Sequence, residues 1–227
     1  MSDIENNTEL LFEAAYQGNL DEVRRLISLS GAKENYSYAL QAAAHNGHAQ
    51  CVELLIPLSD PKAGDSYALR WAATNGHVQC VELLIPVSDP KTKKNEPLRY
   101  SAQNGHAQCV ELLIPVSDPK AKESYALQWA AQKGHTQCVK LLVPVSDPKA
   151  NNSRALQFAI AFGHTECVDL LYPVSDSVVA LQQLQQQHPD NYKLWGQLQQ
   201  MVEAKRVRKT LIAEIETATG VKIQRKI

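Results

Sequence analysis

No apolar stretch in this chain approaches the roughly 18 residues that a membrane-spanning helix requires. The opening residues Met1-Ser-Asp-Ile-Glu-Asn-Asn are polar and acidic, without the basic and apolar segments of a secretory leader. Net charge is nearly absent: 23 Lys+Arg against 24 Asp+Glu give −1, so the chain as a whole exerts little pull on nucleic acid or membrane. Cysteine is scarce and odd in number, five in 227 residues, which fits a compartment that keeps thiols reduced. The expected address is the cytoplasm, with nuclear or host-cell delivery left open. No Gly-rich phosphate loop is present, and no nucleophile, base and orienting group stand in a recognisable combination. No enzyme and no cofactor are expected.

What the chain has instead is repetition. The phrase Gly-His-x-x-Cys-Val occurs five times at a step of 29 residues. Its glycines are Gly47, Gly76, Gly105, Gly134 and Gly163, and its cysteines Cys51, Cys80, Cys109, Cys138 and Cys167. A fixed period of this size means stacked units without a single globular core. Within the unit opening at Ser66, Leu69, Ala72 and Ala73 fall on one face of a short helix. A polar residue able to cap that helix recurs as Thr8, Ser37, Ser66, Asn95, Ser124 and Ser153. Gly76 is placed to end the helix in a left-handed conformation. A second helix runs from Val78 with Cys80, Val81, Leu83, Leu84 and Ile85 apolar, and Pro86 is expected to stop it by pushing Ile85 off helical angles. The segment through Asp89-Pro90-Lys91 reads as an exposed turn. Helices this short are marginal alone in water, so stacking must bury their faces.

Units open near residues 8, 37, 66, 95, 124 and 153, six in all. The first lacks the His and Cys and carries more charge on its second helix, as a terminal cap requires. The pattern resembles the ankyrin repeat: Leu69, Ala72-Ala73, Gly76-His77, Val81, Leu83-Leu84-Ile85 and the loop Asp89 stand at matching places. The resemblance covers residues 8 to about 176. The expected fold is therefore all-α: a helix-turn-helix solenoid of six ankyrin-type repeats, with a lead-in over 1–7 and a helical segment over 177–227. The family period is usually longer, and the missing residues fall in the loop, so the family's projecting hairpins should be truncated or absent.

His and Cys at His-x-x-Cys spacing invite a metal reading. Tetrahedral zinc, however, needs four donors about 2.0–2.3 Å from the ion, whereas packed helices lie roughly 8–10 Å apart. The plainer expectation is that Cys fills the place of a small buried residue and His satisfies backbone groups at the turn, with no metal. The aromatic series Trp71, Tyr100, Trp129 and Phe158 is expected to fill space between repeats.

The resemblance also implies a protein partner. The two residues before each glycine vary: Tyr16-Gln17, His45-Asn46, Thr74-Asn75, Gln103-Asn104, Gln132-Lys133 and Ala161-Phe162. The corresponding ankyrin pair lies on the concave face and contacts partners, so these are the expected partner-binding residues of a non-enzymatic, monomeric scaffold. A lysine-bearing loop edge (Lys62, Lys91, Lys93, Lys94, Lys120, Lys122 and Lys149) is either a solubilising surface or a contact for an acidic partner. Charge reverses along the chain: residues 1–176 hold 15 Lys+Arg against 20 Asp+Glu, and residues 177–227 hold 8 against 4. The tail is either a structural cap, through Val178, Val179, Leu181 and Leu184, or a second functional segment. Its cluster Lys205, Arg206, Arg208 and Lys209 offers further acidic-partner contacts, with a solvated helical face preferred to nucleic-acid binding.

Overall fold

The structure, a computed structural model, describes residues 3–29 and 33–187. Among these the regular elements are all helices. The first two units contribute α1 (Asp3–Gln17), α2 (Leu20–Leu29), α3 (Lys33–Asn46) and α4 (Ala49–Leu55). The third and fourth give α5 (Ala63–Asn75), α6 (Val78–Leu84), α7 (Thr92–Asn104) and α8 (Ala107–Leu113). The last two give α9 (Ala121–Lys133), α10 (Thr136–Leu142), α11 (Ala150–Ala161) and α12 (Thr165–Leu171), before α13 (Ser177–Gln187). Odd-numbered helices up to α11 pack side by side as an inner layer, and even-numbered helices do the same as an outer layer. This is the six-unit helix-turn-helix solenoid expected from the period.

Two columns of leucine hold it. Leu11, Leu40, Leu69, Leu98, Leu127 and Leu156 come from the inner helices; Leu26, Leu55, Leu84, Leu113, Leu142 and Leu171 come from the outer ones. All are under 2% exposed, and truncating such a residue to alanine costs about 2–5 kcal/mol. The five cysteines are buried with free thiols beside the valine column, so they pack as small apolar groups. The turn between the helices is a Schellman closure. Gly76 takes φ 77°, its N–H donates to Ala73 O at 3.4 Å, and His77 N–H donates to Ala72 O at 2.9 Å.

Two local expectations need correction. Pro86 does not push Ile85 off helical angles: Ile85 sits at φ −50°, ψ −50°, and the chain tightens through the prolines. In the second and fourth units this last turn is a 3₁₀ turn over Ile56–Leu58 and Ile114–Val116, ending where Ser59 and Ser117 become extended. The Ser/Asn series does not cap its own helices either. Gly64, Asp65 and Ser66 all adopt left-handed angles before α5 turns right-handed, as do residues 93–95, 122–124 and 151–153 before their helices. In these four units the run precedes the residue whose side-chain oxygen reaches the following loop. Ser66 Oγ accepts from Asp89 N–H at 2.8 Å; Ser37, Asn95, Ser124 and Ser153 do the same for Asp60, Asp118, Asp147 and Asp176. Asp89 Oδ1 in turn accepts from Lys91 N–H at 2.9 Å, closing a short Asx turn where the family's hairpin would project.

The chain divides into two compact units, residues 1–180 and 181–227, the first holding the array. Helix α13 begins in one and ends in the other. Asp176 Oδ1 accepts from Val179 N–H at 3.2 Å and caps it. Its buried residues are Ala180 and Leu184, with Val178 exposed, so the apolar stripe runs differently from the one read in the sequence. The rest of the expected helical segment beyond residue 187, with its basic cluster Lys205, Arg206, Arg208 and Lys209, lies outside the described residues.

Candidate interaction surface

On α5 the buried residues Ala68, Leu69, Ala72 and Ala73 face the array. Tyr67, Arg70, Trp71, Thr74 and Asn75 fall at i, i+3, i+4, i+7 and i+8, the opposite stripe of the same helix. Stacked across six units, this stripe makes one inner face of five columns. Variation between units concentrates there: the Tyr67 column reads Glu9, Tyr38, Tyr67, Glu96, Tyr125, Arg154, and the Arg70 column reads Phe12, Gln41, Arg70, Arg99, Gln128, Gln157. The leucine columns behind them never change. Four columns are thus at hand besides the variable pair's first member, and the Tyr67 and Arg70 columns were missed in the sequence. Their signal was the same one, variation at the 29-residue step.

The variable pair itself divides in two. Several members are tied to the scaffold: Asn75 Nδ2 donates to His45 O and Asn104 Nδ2 to Thr74 O, each at 2.8 Å, across the joint between units. Asn46 Nδ2 donates to Ala42 O and Thr74 Oγ1 to Arg70 O within their own helices. Tyr16, Gln17, Lys133 and Phe162 are exposed and Gln103 and Gln132 half-buried, the side chains of this set best placed to reach outward. The aromatic series is not core. Trp71, Tyr100, Trp129 and Phe158 are half-buried in the inner face, with Trp71 against the His45 ring at 4.8 Å and the Tyr67 ring at 5.8 Å. Alanines at the back of the helix leave no room for a bulky ring there, so it turns outward.

The five histidines of the repeated phrase bind backward. His77 Nε2–H donates to His45 O at 3.0 Å; His48, His106, His135 and His164 reach Tyr16, Thr74, Gln103 and Gln132 oxygens at 2.9 Å. Each acceptor is an end carbonyl of the preceding inner helix, a group its own helix cannot satisfy. The carbonyl requires a protonated Nε2, which fixes the neutral tautomer. Burial lowers the His106 pKa below its ordinary value, outweighing the hydrogen bond to Thr74 O. Burial likewise raises the thiols of Cys80, Cys109 and Cys138 to about 11. These are unreactive thiols, and no three His, Cys, Asp or Glu among the described residues converge on a metal position.

The loop lysines are exposed and sit at the inner helices' starts. Lys93 Nζ pairs with Asp65 at 2.7 Å, holding that carboxyl below its usual range by hydrogen bond and charge. Lys122 Nζ lies 5.7 Å above the Tyr125 ring. Lys91 and Lys120 donate backbone N–H to Asp89 and Asp118, leaving their side chains exposed, as is that of Lys94. Among the described residues no helix is long and apolar enough to cross a membrane.

Comparison with known proteins agrees with this architecture. No curated protein matches the chain. Among solved structures, the human ASB11 ankyrin repeat domain aligns with a TM-score of 0.62 at 22% identity, covering 72% of this chain and 82% of that one. An ankyrin repeat domain from Acinetobacter baumannii AYE aligns with a TM-score of 0.61 at 22% identity, covering 73% of this chain and 98% of that one. At such identity the likeness is one of fold. The family described as Ankyrin repeats (3 copies) matches residues 11–95, 58–122 and 98–180. With most of its length matched in three overlapping placements, the chain belongs to the ankyrin-repeat family.

Proposed function

We propose that this array is a non-enzymatic scaffold that holds a protein partner on its concave, inner-helix face. The observation that carries the reading is where the units differ. Scaffold columns repeat almost without change, while side chains of different size, charge and aromaticity gather in the outward stripe of the inner helices. Repeat arrays of this kind offer extended surfaces suited to a partner, and function on such a platform resides in the grafted surface. The reading places contacts at Tyr16, Gln103, Gln132, Lys133 and Phe162 of the variable pair, joined by the Tyr67, Arg70 and Trp71 columns. Five free, buried thiols support a reducing compartment such as the cytoplasm. Replacing Gln103 and Gln132 together by arginine adds bulk and charge at half-buried sites without touching the leucine columns. The double variant should keep its melting temperature and change partner affinity by at least about tenfold, about 1.4 kcal/mol, a loss where the added bulk blocks the partner and a gain where the partner is acidic. Capture of partners from the native host with the full chain, the double variant and residues 1–176 tests this; unchanged capture by the double variant refutes the inner-face assignment.

The second reading rests on the charge reversal between residues 1–176 and 177–227. In it the array recognises a target and the basic tail engages a second, acidic partner. Capture of one partner set by residues 1–176 and of an additional set by the full chain favours this reading over the first.

A further inference from the structure

Arg70 and Arg99 occupy the same place in consecutive units. Each reaches back through Nη1 to the left-handed turn before its helix, Arg70 to Gly64 O at 3.3 Å and Arg99 to Lys93 O at 3.5 Å. Each lies over a tyrosine: Arg70 over Tyr67 at 5.5 Å, Arg99 over Tyr100 at 5.5 Å and Tyr125 at 5.9 Å. They differ in one respect. Arg70 Nε meets Glu96 Oε2 at 2.6 Å, with the two side chains only 21% and 16% exposed. The contact is ionic rather than an aligned hydrogen bond, since neither atom finds a hydrogen-bond angle. Glu96 reaches in from the next unit, and one unit further on its place is taken by Tyr125. Arg99 therefore meets no carboxylate within 4.0 Å among the described residues. Its Nε is shut from solvent and has no hydrogen-bond partner.

The imbalance continues along the face. Arg154 stands in the Glu96 column two units on, and its Nη1 finds only the Gln157 amide oxygen at 3.2 Å. Its guanidinium lies 4.5 Å above the Phe158 ring. Lys122 is likewise spent only on a ring. From the fourth unit to the sixth, then, cations without carboxylates alternate with aromatic rings.

We propose that this stretch takes an acidic segment of a partner protein, with Asp or Glu carboxylates set among apolar residues, one of them seated at Arg99 as Glu96 is at Arg70. The proposal rests on the inner face being the binding face and names what binds there. A half-buried guanidinium without an anion bears a desolvation cost that an incoming carboxylate offsets. The fork geometry of arginine suits that carboxylate, and the rings bury the partner's apolar residues. Nucleic acid is disfavoured as the occupant because residues 1–176 carry five more acidic than basic residues, which opposes a long polyanion. A short acidic segment meets the local cations within a Debye length.

Selection of short random peptides displayed on phage against the immobilised full chain tests the idea. Enriched peptides should carry Asp or Glu beside aromatic or aliphatic residues, and a synthetic peptide of the enriched sequence should bind more weakly as salt rises. Arg99→Gln should weaken that peptide by about tenfold or more. Tyr125→Glu should do the same at unchanged melting temperature, because it supplies Arg99 with an internal carboxylate. Glu96→Gln should strengthen binding several-fold by releasing Arg70, a gain that misfolding cannot produce. Neutral or basic consensus peptides, no enrichment, or acidic peptides indifferent to all three substitutions overturn the proposal, as does tighter binding of single-stranded DNA than of the peptide. Neutral peptides lost with the Gln103→Arg, Gln132→Arg variant overturn only the acidic segment. Peptides indifferent to every inner-face substitution overturn the face itself.

Discussion

Replacing Gly76 by alanine probes the joint between units more sharply than any core truncation. Gly76 stands at φ 77°, where a residue with a Cβ costs roughly 1–2 kcal/mol, of which glycine's greater unfolded-state freedom returns about 0.5–1. A Cβ there would also lie 2.7 Å from both Cε1 and Cγ of the His106 ring, which belongs to the next unit. That ring cannot retreat without stretching its 2.9 Å bond to Thr74 O, a loss of about 1 kcal/mol, while overpacking adds about 1–3. Gly76→Ala should therefore cost about 3 kcal/mol. Gly163 has the same left-handed angle, φ 75°, but among the described residues nothing lies within 4 Å of its Cβ position. Gly163→Ala should cost only the conformational part, about 1 kcal/mol. Gly163 also lies in the last unit, where fraying lowers any penalty, so a comparison of two singles is not enough. The decisive measurement is a double-mutant cycle of Gly76→Ala with His106→Ala, by urea unfolding followed by both circular dichroism and tryptophan fluorescence. Without the ring, the alanine should be tolerated about 2 kcal/mol better. A coupling below about 0.5 kcal/mol, the level of independent sites, would refute the stacking of ring on glycine.

The His106 pKa is lowered, chiefly by burial, so the unfolded chain binds more protons than the native one as pH falls through the ordinary imidazole value of about 6.5. Stability should be full at neutral pH and decline toward acid, less steeply in His106→Gln; urea midpoints of both proteins at neutral and at about pH 5 check this, and parallel declines would refute it. Glu123 holds left-handed angles, φ 57° and ψ 40°, in an exposed turn. Glu123→Gly should raise stability by about 0.5–1 kcal/mol, measured as a higher urea midpoint, and a lower midpoint would show that the turn is not strained.

Much of this fold is legible in the sequence because its constraints are local and repeated. Period, turn glycine, apolar columns and shortened loops all follow from residue types within one unit. What escaped lies beyond the single helix. The Ser66 series has the composition of helix caps, and nothing in the helix it opens reveals that its oxygens serve an aspartate N–H 23 residues on. In four units a left-handed run precedes the residue that makes this bond, formed at Lys93-Lys94 and Lys122-Glu123 by residue types that give no hint of it. The same holds for the face. Variation was read in the pair before each glycine, yet several of that pair brace the scaffold; in the columns beside them Tyr38 and Tyr67 are exposed, whereas Gln128 and Gln157 are buried and donate to Glu123 O and Asn152 O.

The two ends of the array explain the phrase that organises it. In the first unit Gly18 is kept and receives the His48 ring, but Asn19 replaces the histidine. In the last, His164 is kept and bound to Gln132 O, while Gly163 faces no ring among the described residues. Glycine thus serves the unit that follows and histidine the unit that precedes. Adjacent in sequence, Gly76 and His77 are halves of two different joints: Gly76 receives the His106 ring, and His77 closes on His45 O. A chain that needed either group only for its own turn would keep both at every unit or lose both together. Among the described residues histidine is missing only from the first of the six units and glycine lacks a ring only in the last, as a stacking code requires. It also explains why the phrase could repeat so closely while the stripe beside it was free to diverge.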